Sequence, residues 1–139
     1  MTTPFKILKI DHIAVAVHDL NKSVELFKLL GMSYNEVENI DSEDVNVLKI
    51  HPENKEDSIE LLESANDISE IKKFLDKKGE GLHHIAFEVD DIYNAITYLK
   101  EKDIKIIYDI PKKGSDNKLI TFIHPKSTPG ILIELCQTI

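Results

Sequence analysis

Two histidines and two glutamates supply the chemistry this chain can do. His12 stands in IDHIAVAV, Glu60 in SIELLES, His84 in LHHIAFEV and Glu134 in GILIELCQ. Imidazole nitrogen combined with carboxylate oxygen is a mixed donor set. It suits divalent Co, Ni, Zn, Mn or Fe, with bonds of about 2.0–2.2 Å. Four protein ligands on an octahedral ion leave two positions open, the arrangement of a catalytic rather than a structural ion. Taken alone, any one of these residues is more often a packed or solvated side chain than a ligand. Their pairing by a repeat is what raises the reading.

The segment from Asp11 to Met32 overlays the segment from His83 to Ile104 at a constant offset. His12 falls on His84, Ile13 on Ile85, Ala14 on Ala86, Val17 on Val89 and Asp19 on Asp91. The alternating runs read as strands. Leu20, Val24 and Phe27 match Ile92, Ile96 and Leu99 as helical stripes, with Asp19 and Asp91 placed as N-caps. Each half then continues through extended chain to a closing strand that contains Ile-Glu-Leu. A helix over about 67–78, ended by Gly79, joins the halves.

The expected fold class is therefore α+β: one domain over 1–139, built of two tandem βαβββ modules, about 8–64 and 80–139. Neither module can bury its sheet face alone. The pair is expected to form one open, curled, mixed sheet around a metal-containing cleft. Strand alternation puts His12 with Ala14 and Ala16, and His84 with Ala86, while neighbouring His83 points away. A pseudo-twofold relation would bring His12 to His84 and Glu60 to Glu134, with the small Ala14 and Ala86 leaving room for a cavity. His83, His18 and His51 are expected in structural roles, and Cys136 as a buried, inert thiol.

Composition narrows the partners. The net charge of −8 argues against a nucleic-acid partner, because phosphate backbones require a basic surface. No apolar run approaches the ~20 residues that span a bilayer, so no membrane partner is expected. The opening residues resemble neither a secretory signal nor a transit peptide, which points to the cytoplasm. A lone cysteine excludes an internal disulfide and a thiolate-rich zinc site.

IDHIAVAV, IELLE, KKGEGLHHIAFEVDDI, IHPKSTPG and ILIEL together resemble the methylmalonyl-CoA epimerase branch of the vicinal-oxygen-chelate (glyoxalase-type) superfamily. The likeness runs over nearly the whole chain. It implies His12, Glu60, His84 and Glu134 as metal ligands, with some members carrying Gln at the position of Glu60. It also implies a homodimer and a single divalent ion, Co2+ first, with Zn2+, Ni2+, Mn2+ or Mg2+ as alternatives. The implied partner is methylmalonyl-CoA, epimerised between its 2R and 2S forms through an enolate. Glu134 is the first candidate base and Glu60 a second catalytic carboxylate. Some members have another Glu on the strand before IELLE. Val47 takes that place here, and Glu43 and Asp44 are expected in a loop. Lys126 and Ser127, in HPKS, are candidate substrate contacts. Lys112, Lys113 and Lys118 are read as solvated loop lysines. The alternatives are a glyoxalase-I-like lactoylglutathione lyase and a non-catalytic small-molecule-binding module of the same fold.

Overall fold

The computed structural model describes residues 3–139. The chain divides into two compact units. One comprises His12–His83, and the other joins the N-terminal stretch up to Asp11 with His84–Ile139. The elements in order are β1 (Ile7–Ala16), α1 (Leu20–Leu29), β2 (Ser33–Tyr34), β3 (Glu38–Ile40), β4 (Val45–His51), β5 (Ile59–Ser64) and α2 (Glu70–Lys78). They continue as β6 (Gly81–Val89), α3 (Ile92–Glu101), β7 (Lys112–Lys113), β8 (Lys118–Ile123) and β9 (Leu132–Thr138).

In the unit His12–His83, β1 runs parallel to β5, and β4 pairs antiparallel with β5. Both β2 and β3 pair with β4, at its two ends. They act as one edge strand interrupted at Asn35–Val37. The same order returns in the other unit, where β6 is parallel to β9, β9 antiparallel to β8, and β8 antiparallel to β7. Each unit therefore carries a mixed sheet. Among the described residues, no helix is long and apolar enough to cross a membrane.

Side-chain alternation separates the two faces of each sheet. In the unit His12–His83, Val24 and Leu20 of α1 pack with Leu48, Ile50 and Leu61 on one face. On the other, Ala14, Ala16, Val45, Val47 and Leu62 pack with Ile71 and Leu75 of α2. In the other unit, Ile92, Ala95 and Ile96 of α3 pack with Val89 and Leu135. Ala14 is fully buried in the same cluster as Val47 and Leu62.

Asp19 and Asp91 cap their helices as the sequence suggests, accepting from the amides of Lys22 and Asn94. Glu63 and Gln137, equivalently placed after Glu60 and Glu134, accept from the first amides of the two helices, those of Leu20 and Ile92. The joining helix departs from expectation at its start. It begins at Glu70 rather than near Asp67, because buried Ser69 is the residue whose hydroxyl accepts from the Ile71 amide. Gly79 ends it with φ of +79°, a conformation L side chains rarely adopt.

Candidate metal centre

Two buried histidine–carboxylate pairs occupy equivalent places in the two units. His12 Nδ1 stands 3.3 Å from Glu60 Oε2. His84 Nε2 stands 3.2 Å from Glu134 Oε1. All four residues are buried, at 6–7% exposure. The strand register explains the pairing. Ala14 is the register partner of Glu60, and Ala86 that of Glu134. In each parallel pair the histidine therefore precedes the partner alanine by two residues, on the same face as the glutamate.

Packing fixes the rings. Phe122, the partner of Glu134 on β8, meets the His84 imidazole edge to face at 5.9 Å. Phe122 is held in turn by Tyr108, at 6.0 Å. His83 faces the opposite way and packs against Phe74 of α2 at 5.0 Å. The two adjacent histidines thus have separate jobs: His84 joins a carboxylate and His83 seats a helix. His51 Nδ1 bonds the Asp57 carbonyl, and the backbone amide of the exposed His18 donates to Glu80.

Each pair offers an imidazole nitrogen and a carboxylate oxygen, buried and held on strands. That is the chemistry a borderline divalent ion accepts, and rigid strands keep such donors in place. Cys136, fully buried on the face of Glu134, is a poor ligand. Burial pushes its thiol well above the ordinary range, and the charges of Asp11 and Glu134 push it further.

Other expected site residues lie apart from these pairs. Val47 is core, 4% exposed. Glu43 is half-buried in the β3–β4 connection, at the end of the single 3-10 turn Asp41–Glu43. Asp44 follows it in a left-handed conformation, its carboxylate bonded to Asn66. Lys118 opens β8 instead of lying in a loop, and its ammonium pairs with Asp11. Lys112 and Lys113 form the exposed β7, with Lys112 over the Tyr108 ring. Lys126 is exposed. Ser127 accepts from the Lys105 amide. Ser127 also borders an apolar cavity of about 340 Å3 lined by Phe5, Phe87, Leu99 and Ile133. That cavity lies against the face of β6 and β9 opposite His84 and Glu134.

One residue escaped the sequence reading. Lys49 is 7% exposed and is the register partner of Glu60. The alternation Val45, Val47, Lys49 was the available signal, since both valines sit in a core cluster on that face.

Residues 11–122 match the family model of the Glyoxalase/Bleomycin resistance protein/Dioxygenase superfamily. The chain is 39% identical over 129 residues to the mitochondrial methylmalonyl-CoA epimerase of Dictyostelium discoideum, covering 91% of this chain and 76% of that one. It is 35% identical over 132 residues to the ethylmalonyl-CoA/methylmalonyl-CoA epimerase of Cereibacter sphaeroides, covering 93% and 97%. A variant of Streptomyces coelicolor methylmalonyl-CoA epimerase, solved with 2-nitronate-propionyl-CoA, superposes with a TM-score of 0.88. Its identity is 32%, and 96% of each chain is covered.

Proposed function

Because the chain belongs to the glyoxalase/bleomycin resistance/dioxygenase superfamily, and within it to the methylmalonyl-CoA epimerase family, we propose that it interconverts (2R)- and (2S)-methylmalonyl-CoA. The observation that carries this reading is the duplicated, buried histidine–carboxylate pair at equivalent register positions. We assign His12, Glu60, His84 and Glu134 as the ligands of one divalent ion. Cobalt is the first choice, and a homodimer follows the family resemblance. When bound, the ion supplies Lewis-acid stabilisation of the charge that builds as the C2 proton leaves.

The chain's own groups handle the proton. Glu134 removes it from one face of C2, because a carboxylate beside the polarised acyl group is within reach of the acidic C–H bond. Inversion needs delivery from the opposite face. Val47 has no proton to give. Family members with Gln at the position of Glu60 lack an ionisable group there, so Glu60 is not assigned the second transfer. Glu43, half-buried at the head of β4, is the carboxylate we assign to the second transfer. The exposed Lys126 is assigned to the CoA phosphates as a charge contact.

The test is C2 deuterium incorporation into methylmalonyl-CoA in heavy water, followed by mass spectrometry. The cobalt-loaded protein is expected to exchange the proton, and the chelator-stripped protein to lose the activity. A loaded protein that leaves C2 unlabelled, yet turns over a glutathione hemithioacetal, would establish the lyase reading instead.

A further inference from the structure

The His84–Glu134 pair touches a third side chain that has no donor atom. Phe122 is the register partner of Glu134 across β8 and β9. Its ring reaches the His84 imidazole with 5.9 Å between centroids and 87° between planes. That is the edge-to-face geometry aromatic rings prefer. An imidazole turns about the bond that joins it to its own side chain, and that torsion has broad wells. Burial takes His84 out of water but does not select its angle. A ring set at right angles to it does, because turning the imidazole drives it into the phenyl ring or forfeits the contact between them.

Phe122 is itself braced. The Tyr108 ring meets it at 6.0 Å and 71°, and the Lys112 ammonium sits 4.0 Å over the Tyr108 ring, where the ring quadrupole attracts a cation. The backbone under Tyr108 is fixed to β8. Its amide donates to the Thr121 hydroxyl oxygen at 3.2 Å, and that hydroxyl donates to the Tyr108 carbonyl at 2.8 Å. Thr121 is fully buried. The Ile107 amide donates to the Phe122 carbonyl at 2.9 Å. Lys112, Tyr108, Phe122 and His84 thus form one row of contacts within this unit.

The duplication shows that strand pairing does not require the row. In the unit His12–His83 the residue opposite Glu60, in the place of Phe122, is Lys49. The same parallel and antiparallel pairs form there without an aromatic residue at that position. The ring is therefore particular to the His84 pair. Resting on the ligand set proposed above, we propose that Phe122 is a positioning residue for the metal centre. It holds the His84 imidazole with Nε2 at the Glu134 carboxylate, 3.2 Å away, and Tyr108 holds Phe122. Groups that orient a metal ligand commonly do so by hydrogen bonding; here ring packing does it.

The test compares wild type with Phe122→Leu, Tyr108→Leu and Tyr108→Phe. In metal-free protein labelled with 15N-histidine, NMR reads the His84 ring, its signals assigned by their absence from His84→Asn. Cobalt affinity is measured by competition with a chromophoric chelator, and urea unfolding of the same samples reads stability. Wild type is expected to show one sharp set of His84 ring signals. Phe122→Leu keeps an apolar side chain but loses the ring. It should split or broaden those signals and weaken cobalt binding by about 10–100-fold, the usual cost of removing a group that orients a ligand. Tyr108→Leu should move both readouts the same way by less, and Tyr108→Phe, which keeps the ring, should restore both. Sharp His84 signals with wild-type cobalt affinity in Phe122→Leu overturn the proposal. So does a Tyr108→Phe that behaves like Tyr108→Leu, which would credit the hydroxyl. A cobalt loss that follows stability while the His84 signals stay sharp also overturns it. Should Phe122→Leu fail to fold, the two Tyr108 variants decide alone. Wild type that takes up no cobalt removes the ligand assignment alone, since the metal-free spectra still read what sets the ring.

Discussion

His84 and Glu134 stand 3.2 Å apart on parallel strands whose register sets Ala86 opposite the glutamate. His12 and Glu60 repeat that relation at 3.3 Å, with Ala14 in the place of Ala86. Two independent strand pairs thus solve the same positioning problem in the same way. A parallel pair holds donors from residues far apart in sequence without relying on a loop, so the imidazole and carboxylate are preorganised.

Glu134→Gln keeps the size of the side chain and an oxygen donor but removes the proton acceptor. C2 deuterium exchange should fall by roughly 10²–10⁴-fold, the usual contribution of a positioned acid–base group. Cobalt content, measured by mass spectrometry of the metal, should fall far less. Exchange at the wild-type rate would take Glu134 out of the proton chemistry.

Glu43→Gln and Glu60→Gln separate ligand from proton carrier. Glu43→Gln should retain the ion and still slow epimerisation by about 10²-fold or more, since a general acid–base group is lost. Glu60→Gln should remain active, because an amide oxygen can replace the carboxylate as a ligand. Circular dichroism during turnover of one epimer reads both. The reverse order of activities would return the second transfer to Glu60.

Asp19→Ala and Asp91→Ala each remove the side chain that accepts from a first-turn amide. Each should cost about 1 kcal/mol in urea unfolding, typical of a lost N-cap. The neighbouring acceptors Glu63 and Gln137 remain in place, so both variants should still fold.

Lys118 is partly buried, which opposes its charge, but its bond to Asp11 more than compensates and raises its pKa above the ordinary 10.5. A lysine with a raised folded pKa contributes stability fully below its unfolded pKa, and loses that contribution as pH rises through the folded value. The stability gap between wild type and Lys118→Met, from denaturant titrations, should be constant at neutral pH and should narrow above about pH 10.5. A gap that widens at high pH would contradict the Lys118–Asp11 pairing.

Cys136 should resist alkylation by iodoacetamide in the folded protein at pH 8 and react once urea unfolds it. Burial keeps it both inaccessible and protonated. Rapid labelling of the native state would place this thiol at an accessible surface.

The sequence by itself determined which residues share a strand face and which cap a helix. Strand alternation and helical stripes are local periodicities, and a duplicated order of elements lets each half corroborate the other. That is why His84 could be separated from His83, and why Asp19 and Asp91 were legible as caps. Only the tertiary structure decided the matters that depend on register between distant strands. It set Lys49 directly opposite Glu60 across β4 and β5. It drew Lys118 out of a presumed loop to meet Asp11, and it moved the start of α2 to the buried hydroxyl of Ser69. Register and burial are set by the whole set of packing partners, and no short window of sequence contains them.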